Sequence, residues 1–262
     1  MPEIQVDSVS YYYELYGEEK PLVFIPGYGA NHTAWRYVYP AFTDRYQVVI
    51  FDNPASGRTQ DQGGPLTTAS MADGVAGLID ALGLRNPHVV GHSMGGSIAQ
   101  LLAIKYPDKI DRLILVNSCS RWNSRVLMAM QGLIDAIKCG ASLDCQLEIS
   151  MPWLCGTKVL ADPDRTAALR DMILDNPTPP SLKELERQYQ VLLEFDSSDL
   201  LDKIKAPTLV VISDDDILAI PAESEELAEK IADARIARLP GGHVSEYEEP
   251  EKLGAAIQSF LK

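Results

Sequence analysis

The chain has 262 residues, 46% of them hydrophobic and 23% charged, the composition of one large globular domain or of one domain with a sizeable insertion, at about 150 residues per domain. Lys and Arg number 23 against 37 Asp and Glu, a net charge of −14, which disfavours a surface built to neutralise nucleic-acid phosphates or to sit on an anionic membrane. No stretch approaches the ~18 apolar residues of a membrane span, and the start, Met1-Pro2-Glu3-Ile4, has neither the basic nor the apolar segment of a secretory signal, so a cytoplasmic protein is expected.

From Asp214 to Glu251 twelve acids stand against three bases, which reads as a solvated, solubilising face. The four cysteines, Cys119, Cys139, Cys145 and Cys155, show no C-x-x-C spacing and no histidine between them. Zinc is not expected, and free thiols are. Their clustering in one stretch fits a segment that lines an apolar pocket.

Residues 3–17 alternate and are rich in Tyr and Val, which predicts two short antiparallel strands. The solid apolar runs Leu22–Ile25 and Gln47–Phe51 read as strands covered on both faces. A helix is expected around Thr33 to Phe42, and another from a Ser70 cap to Leu82, closed by Gly83. Strand His88–Val90, helix Met94–Tyr106 and strand Arg112–Val116 follow. From Cys119 to about Leu201 helical patterns replace the buried runs, with breakers at Pro152, Pro163, Pro177, Pro179 and Pro180. Alternation then resumes: strand Thr208–Ile212, helix Ala222–Ala232, strand Arg235–Leu239 and helix Glu251–Leu261. Strands alternating with helices predict an α/β fold, a mostly parallel central sheet flanked by helices. The expected division is a core of residues 1–118 and 202–262 with a helical cap over 119–201.

Ligands of such sheets bind at the carboxyl ends of the strands. The residues expected there are Gly27-Tyr28, Asp52, Ser93, Asn117, Asp214 to Asp216 and Gly241-Gly242-His243. Gly91-His92-Ser93-Met94-Gly95 fits G-x-S-x-G between a buried strand and a helix. A strand turning directly into a helix strains the serine backbone, and small residues two before and two after relieve the crowding. The helix N-terminus favours negative charge developing nearby.

With Ile25-Pro26-Gly27-Tyr28-Gly29 before it and Asp214-Asp215-Asp216 and Gly241-Gly242-His243 after it, the chain resembles the α/β-hydrolase superfamily, within it the serine esterase and enol-lactone hydrolase group. The resemblance covers nearly everything outside the helical insertion. It implies Ser93 as nucleophile and His243 as general base on a flexible loop, because a serine hydroxyl is a poor nucleophile unaided. It implies an aspartate that orients the histidine a few residues past the strand, four or five before a proline. Asp216 fits, five before Pro221, and Asp215 is the second choice. The backbone amides of Tyr28 and Met94 are the expected oxyanion donors; family members often carry His where Pro26 stands, a change that spares a backbone donor. Asp52 to Thr59 departs from the family's D-x-R-G-x-G-x-S segment and reads as a structural turn.

The resemblance also implies a lid in the insertion, placed after the sixth strand. Trp122, Met128, Met130, Met151, Trp153 and Met172 are candidates for an apolar substrate pocket or for the lid's own core, with Trp122 and Trp153 preferred for the pocket. Arg121 and Arg125 are the basic residues there that would suit an acidic substrate. The expected activity is hydrolysis of a small, moderately apolar ester or lactone through an acyl-enzyme, with no cofactor or metal; the sequence does not set the oligomeric state. Thioesterase, perhydrolase and carbon–carbon hydrolase chemistry share the same residues. A small-molecule receptor of this fold would retain them too, and slow or single-turnover hydrolysis would reveal it.

Overall fold

A computed structural model, described for residues 2–262, arranges eight strands into one sheet. The strands are β1 (Glu3–Val6), β2 (Val9–Tyr16), β3 (Lys20–Ile25), β4 (Tyr46–Phe51), β5 (His88–His92), β6 (Leu113–Val116), β7 (Thr208–Ser213) and β8 (Ala234–Leu239). Their spatial order is β1-β2-β4-β3-β5-β6-β7-β8. The first two strands pair antiparallel, β2 runs antiparallel to β4, and every later pair is parallel. The helices are α1 (Thr68–Ala81), α2 (Met94–Lys105), α3 (Ser124–Lys138), α4 (Leu143–Leu154), α5 (Thr157–Leu160), α6 (Pro163–Leu174), α7 (Leu182–Glu194), α8 (Pro221–Lys230), α9 (Ser245–Glu248) and α10 (Pro250–Leu261). None is long and apolar enough to cross a membrane.

The continuous apolar runs follow from burial on both faces. Val23 and Ile25 of β3 and Val49 and Phe51 of β4 join the core beneath α1, α2 and α8. Leu22 and Phe24, with Val48 and Ile50, point the other way, onto Trp35, Phe42 and the α10 residues Leu253, Ile257 and Phe260. A period of two thus serves two cores, and neither face can carry polar residues. Between β6 and β7 the chain passes through α3 to α7; α4 to α6 share a smaller core of Leu147, Met151, Cys155, Val159 and Leu169, while Val126 of α3 and Val191 and Leu192 of α7 join the larger core of the sheet.

Three expectations change. The helix around Thr33–Phe42 is instead two 3-10 turns, His32–Trp35 and Tyr39–Phe42. Pro40 explains the break, since it has no N–H for the Arg36 carbonyl and crowds the preceding turn. Thr67, not Ser70, caps α1. The Thr67 side chain accepts from the Ser70 N–H at 2.9 Å and Ser70 Oγ accepts from the Thr67 N–H at 3.0 Å, a reciprocal box in which Ser70 is the third helical residue. Pro152 does not break its helix. It lies in the last turn of α4, where the donor it lacks would have served exposed Glu148, and the helix stops at Leu154.

Candidate active site

Strand β5 turns into α2 at Ser93, whose φ of 55° and ψ of −121° lie outside the regions open to L-residues. The flanking glycines make this turn possible through close approach. A Cβ on Gly91 would stand 2.3 Å from the Gly95 carbonyl oxygen, and one on Gly95 would stand 2.2 Å from the Ile25 carbonyl oxygen. The Ser93 carbonyl starts α2 by accepting from the N–H groups of Gly96 at 2.8 Å and Ser97 at 3.2 Å. The side chain is thereby held at the carboxyl edge of the sheet.

Three side chains meet there although the sequence separates them widely. Asp216 Oδ2 lies 2.8 Å from His243 Nδ1, and His243 Nε2 lies 2.8 Å from Ser93 Oγ. A carboxylate only accepts, so Nδ1 carries the proton and Nε2 is left to accept from the serine hydroxyl. The other Asp216 oxygen accepts from the N–H groups of Leu218 and Ala219, at 2.8 and 3.1 Å. Asp216 is 2% exposed and His243 3%, so these bonds act in a medium of low dielectric. Asp215 turns away and accepts from the Thr157 hydroxyl at 2.6 Å, while Asp214 faces Arg238 at 2.9 Å.

The His243 loop is pinned where a flexible one was expected. The His243 N–H donates to the Leu154 carbonyl at 2.8 Å. Glu248 accepts from the N–H of Gly156 at 2.9 Å and of Gly242 at 3.0 Å. Gly156 and Gly242 cross so closely that a Cβ on either would fall within 2.7 Å of the other's backbone. Asn117 at the end of β6 donates to the His243 carbonyl at 2.7 Å and accepts from the Ser213 N–H at 3.1 Å. His92 Nε2 donates to the same carbonyl at 2.8 Å.

This places the His92 lone pair on Nδ1, which stands 3.4 Å from Glu246 Oε1. Burial, followed by the nearby His243, drives the His92 pKa down to about 3, and burial raises Glu246 to about 8. Both are therefore neutral at pH 7. Sequence reasoning noted Asn117 only as a strand end and His92 only as part of the turn; Glu246 it passed over.

The Tyr28 amide lies in neither helix nor strand and has no acceptor among the described residues. The Met94 amide is the first of α2, where no preceding turn can accept it. Gly27 brings the β3 loop against the serine, since its Cβ would lie 3.2 Å from Ser93 Cβ. Asp52 ties its own turn, accepting from the N–H groups of His32 at 2.7 Å and Arg58 at 2.8 Å.

Ser93 and His243 open on a cavity of about 380 Å³, lined mainly by apolar side chains of α3, α4, α6 and α7. Trp122, Trp153, Met130, Met172 and the Tyr28 side chain lie on its wall. The Trp122 ring stands edge-on to His243, with centroids 6.4 Å apart. Two candidates fall elsewhere: Met128 is 74% exposed, and Met151 packs inside the small helical core. Helical periodicity fixes which residues share a face but not which face meets the cavity. None of the four cysteines lines it. All four are free thiols, Cys119 and Cys155 buried and the other two exposed. Arg121 and Arg125 do not reach it either; Arg121 faces Asp196 at 3.7 Å, and the arginine on the wall is Arg36. No group of three or more His, Cys, Asp or Glu that could hold a metal ion occurs among the described residues.

A family model described as the alpha/beta hydrolase fold matches residues 20–250. A curated relative from Caulobacter sp. (strain K31), provisionally named carbamate hydrolase RutD, is 31% identical over 261 residues, covering 95% of each chain. A thermophilic esterase from Thermogutta terrifontis, solved with malate bound, superposes with a TM-score of 0.87 at 26% identity, over 100% of this chain and 98% of its own. An alpha/beta hydrolase enzyme from a Medee basin deep-sea metagenome library gives 0.92 at 24% identity, over 99% of this chain and 97% of its own, a likeness of fold.

Proposed function

The chain belongs to the α/β-hydrolase family, and from that premise we propose that it is a serine hydrolase cleaving a moderately apolar carboxylic ester or lactone. The observation that carries this reading is the hydrogen-bonded line Asp216–His243–Ser93, each link 2.8 Å, ending on an apolar cavity. Ser93 Oγ attacks the substrate carbonyl as its proton passes to His243 Nε2. Asp216 holds the Nδ1 proton in place and stabilises the imidazolium that forms. The Tyr28 and Met94 amides receive the oxyanion, each such donor contributing about 10²- to 10³-fold in rate. His243 returns its proton to the leaving alkoxide. Water then attacks the acyl-enzyme by the same route, releases the acid and restores Ser93.

The cavity volume of about 380 Å³ lies within the ~300–1,000 Å³ of sites that enclose medium-sized ligands. It supports an acyl or alcohol part of several carbons. The name of the Caulobacter relative carries a second reading, in which the same serine attacks a carbamate. Initial rates on p-nitrophenyl esters from acetate to dodecanoate, with a lactone and an aryl carbamate alongside, separate the two. The ester reading expects a maximum at intermediate chain length and no turnover in Ser93→Ala. Turnover that survives Ser93→Ala, or a wild type that cleaves only the carbamate, overturns it.

A further inference from the structure

Among the described residues that line the cavity, Arg36 is the one permanent cation and Glu246 the one carboxyl group. Glu246 is held protonated by burial, up to about 8, and His92 beside it is neutral. At pH 7 the wall therefore carries a net positive charge. Arg36 follows the turn His32–Trp35 and is half-buried. Its guanidinium lies 5.6 Å from the Tyr37 ring centroid, and its charge acts on the neighbouring Tyr247 phenol. Those two rings meet edge-on at 6.3 Å, so the cation is set in an aromatic cradle that limits its motion.

What Arg36 lacks is a counter-ion. Arg121, Arg170, Arg187 and Arg238 each face a carboxylate of the chain; Arg45, Arg85, Arg112, Arg125, Arg165 and Arg235 face none among the described residues, but none of these lines the cavity. Among the described residues Arg36 too faces none, in a protein with acids in excess, and its buried Nε has no hydrogen-bond partner there. A buried donor left unpaired costs stability. The guanidinium charge as a whole, on a half-buried side chain that lines the cavity, is matched by an anion brought into that space.

We propose that Arg36 binds a carboxylate on the substrate, so that the ester or lactone cleaved at Ser93 belongs to a half-acid: an apolar segment with the scissile carbonyl at one place and a free carboxylate at another. This rests on the hydrolase reading above. One guanidinium balances one charge, which matches a carboxylate rather than a phosphate dianion. The planar fork also matches a carboxylate's two oxygens. The carboxylate takes no part in bond making. It adds binding common to ground and transition states, which lowers KM and leaves kcat nearly unchanged.

The test uses matched pairs: monomethyl esters of dicarboxylic acids from succinate to sebacate, each against the methyl alkanoate with the same acyl chain. The expected result is that the wild type favours the anionic member at one or more lengths. Arg36→Gln should cut that preference about 10- to 100-fold, the range for a charge-assisted hydrogen bond, through KM, with the neutral ester changed less than about threefold. Arg36→Lys should retain part of it. A wild type that never favours the anion, or an Arg36→Gln variant that slows both members of every pair alike, overturns the proposal while neutral-ester turnover leaves the hydrolase reading standing. Calorimetric titration of Ser93→Ala and of the Ser93→Ala, Arg36→Gln double variant with the same esters reads binding without turnover. Equal binding by both proteins overturns the proposal even if no ester is cleaved.

Discussion

Asn117 bridges two strand ends to His243: its Nδ2 donates to the His243 carbonyl at 2.7 Å while its Oδ1 accepts from the Ser213 N–H at 3.1 Å. The amide thus ties the histidine loop to β7, the strand that leads to Asp216. Its φ of 47° is left-handed, a conformation that Asn tolerates better than most residues. Asn117→Gly keeps that backbone open and deletes only the tie. The expected result is a kcat reduced about 10- to 100-fold with KM within about threefold, the signature of a misplaced reacting group. An unchanged kcat in the folded variant would remove Asn117 from the positioning of His243.

The two neighbouring aspartates should behave oppositely. Asp216→Asn cannot hold Nδ1–H as a carboxylate does, and the expected loss in kcat is about 10³- to 10⁴-fold. Asp215 serves Thr157, so Asp215→Asn should stay within about threefold. Steady-state rates of both variants on one activated ester decide the matter; the reverse order would make Asp215 the orienting acid.

Glu246 gives stability a pH dependence with a definite sign. Its carboxyl is raised from 4.5 to about 8 by burial in the folded chain. The folded state therefore holds a proton that the unfolded state has released, between about pH 4.5 and 8. Its contribution is complete below 4.5 and is lost as pH rises through 8. Glu246→Gln keeps the shape and removes the titration. Melting temperatures at pH 5 and pH 9 should fall more in the wild type than in the variant, and an identical fall in both would show that Glu246 does not titrate in this range.

The crossing of Gly156 over Gly242 makes a further prediction. A Cβ on Gly156 would stand 2.7 Å from the Gly242 nitrogen, a backbone atom that cannot swing aside. Gly156→Ala should push the His243 loop off Ser93 and lower both the melting temperature and kcat. Gly132→Ala, where a Cβ meets nothing within 4 Å on helix α3, should raise stability slightly through helix propensity and leave the rate alone.

How much of this was legible in the sequence depended on the range of the physics. The turn at Ser93 is local: its glycines are read from five consecutive residues, and the close contacts explain them. The strands declared themselves because burial on both faces leaves no polar position. Asn117 and His92 act on a carbonyl 126 and 151 residues away, and no spacing announces such a contact. Arg36 is hidden because its segment reads as an ordinary helix unless Pro40 is given full weight, and because the insertion offers two nearer-seeming cations, Arg121 and Arg125. Met128 and Met151 were separable from Met130 and Met172 only once the faces of α3, α4 and α6 were fixed in space.

Intact-mass spectrometry after incubation with a fluorophosphonate, followed by peptide mapping, tests the central claim most directly, since only an activated serine attacks the phosphorus. The account predicts one adduct per chain, on Ser93, formed by the wild type and abolished in His243→Ala. A well-folded protein that forms no adduct, or one labelled equally in His243→Ala, would contradict it.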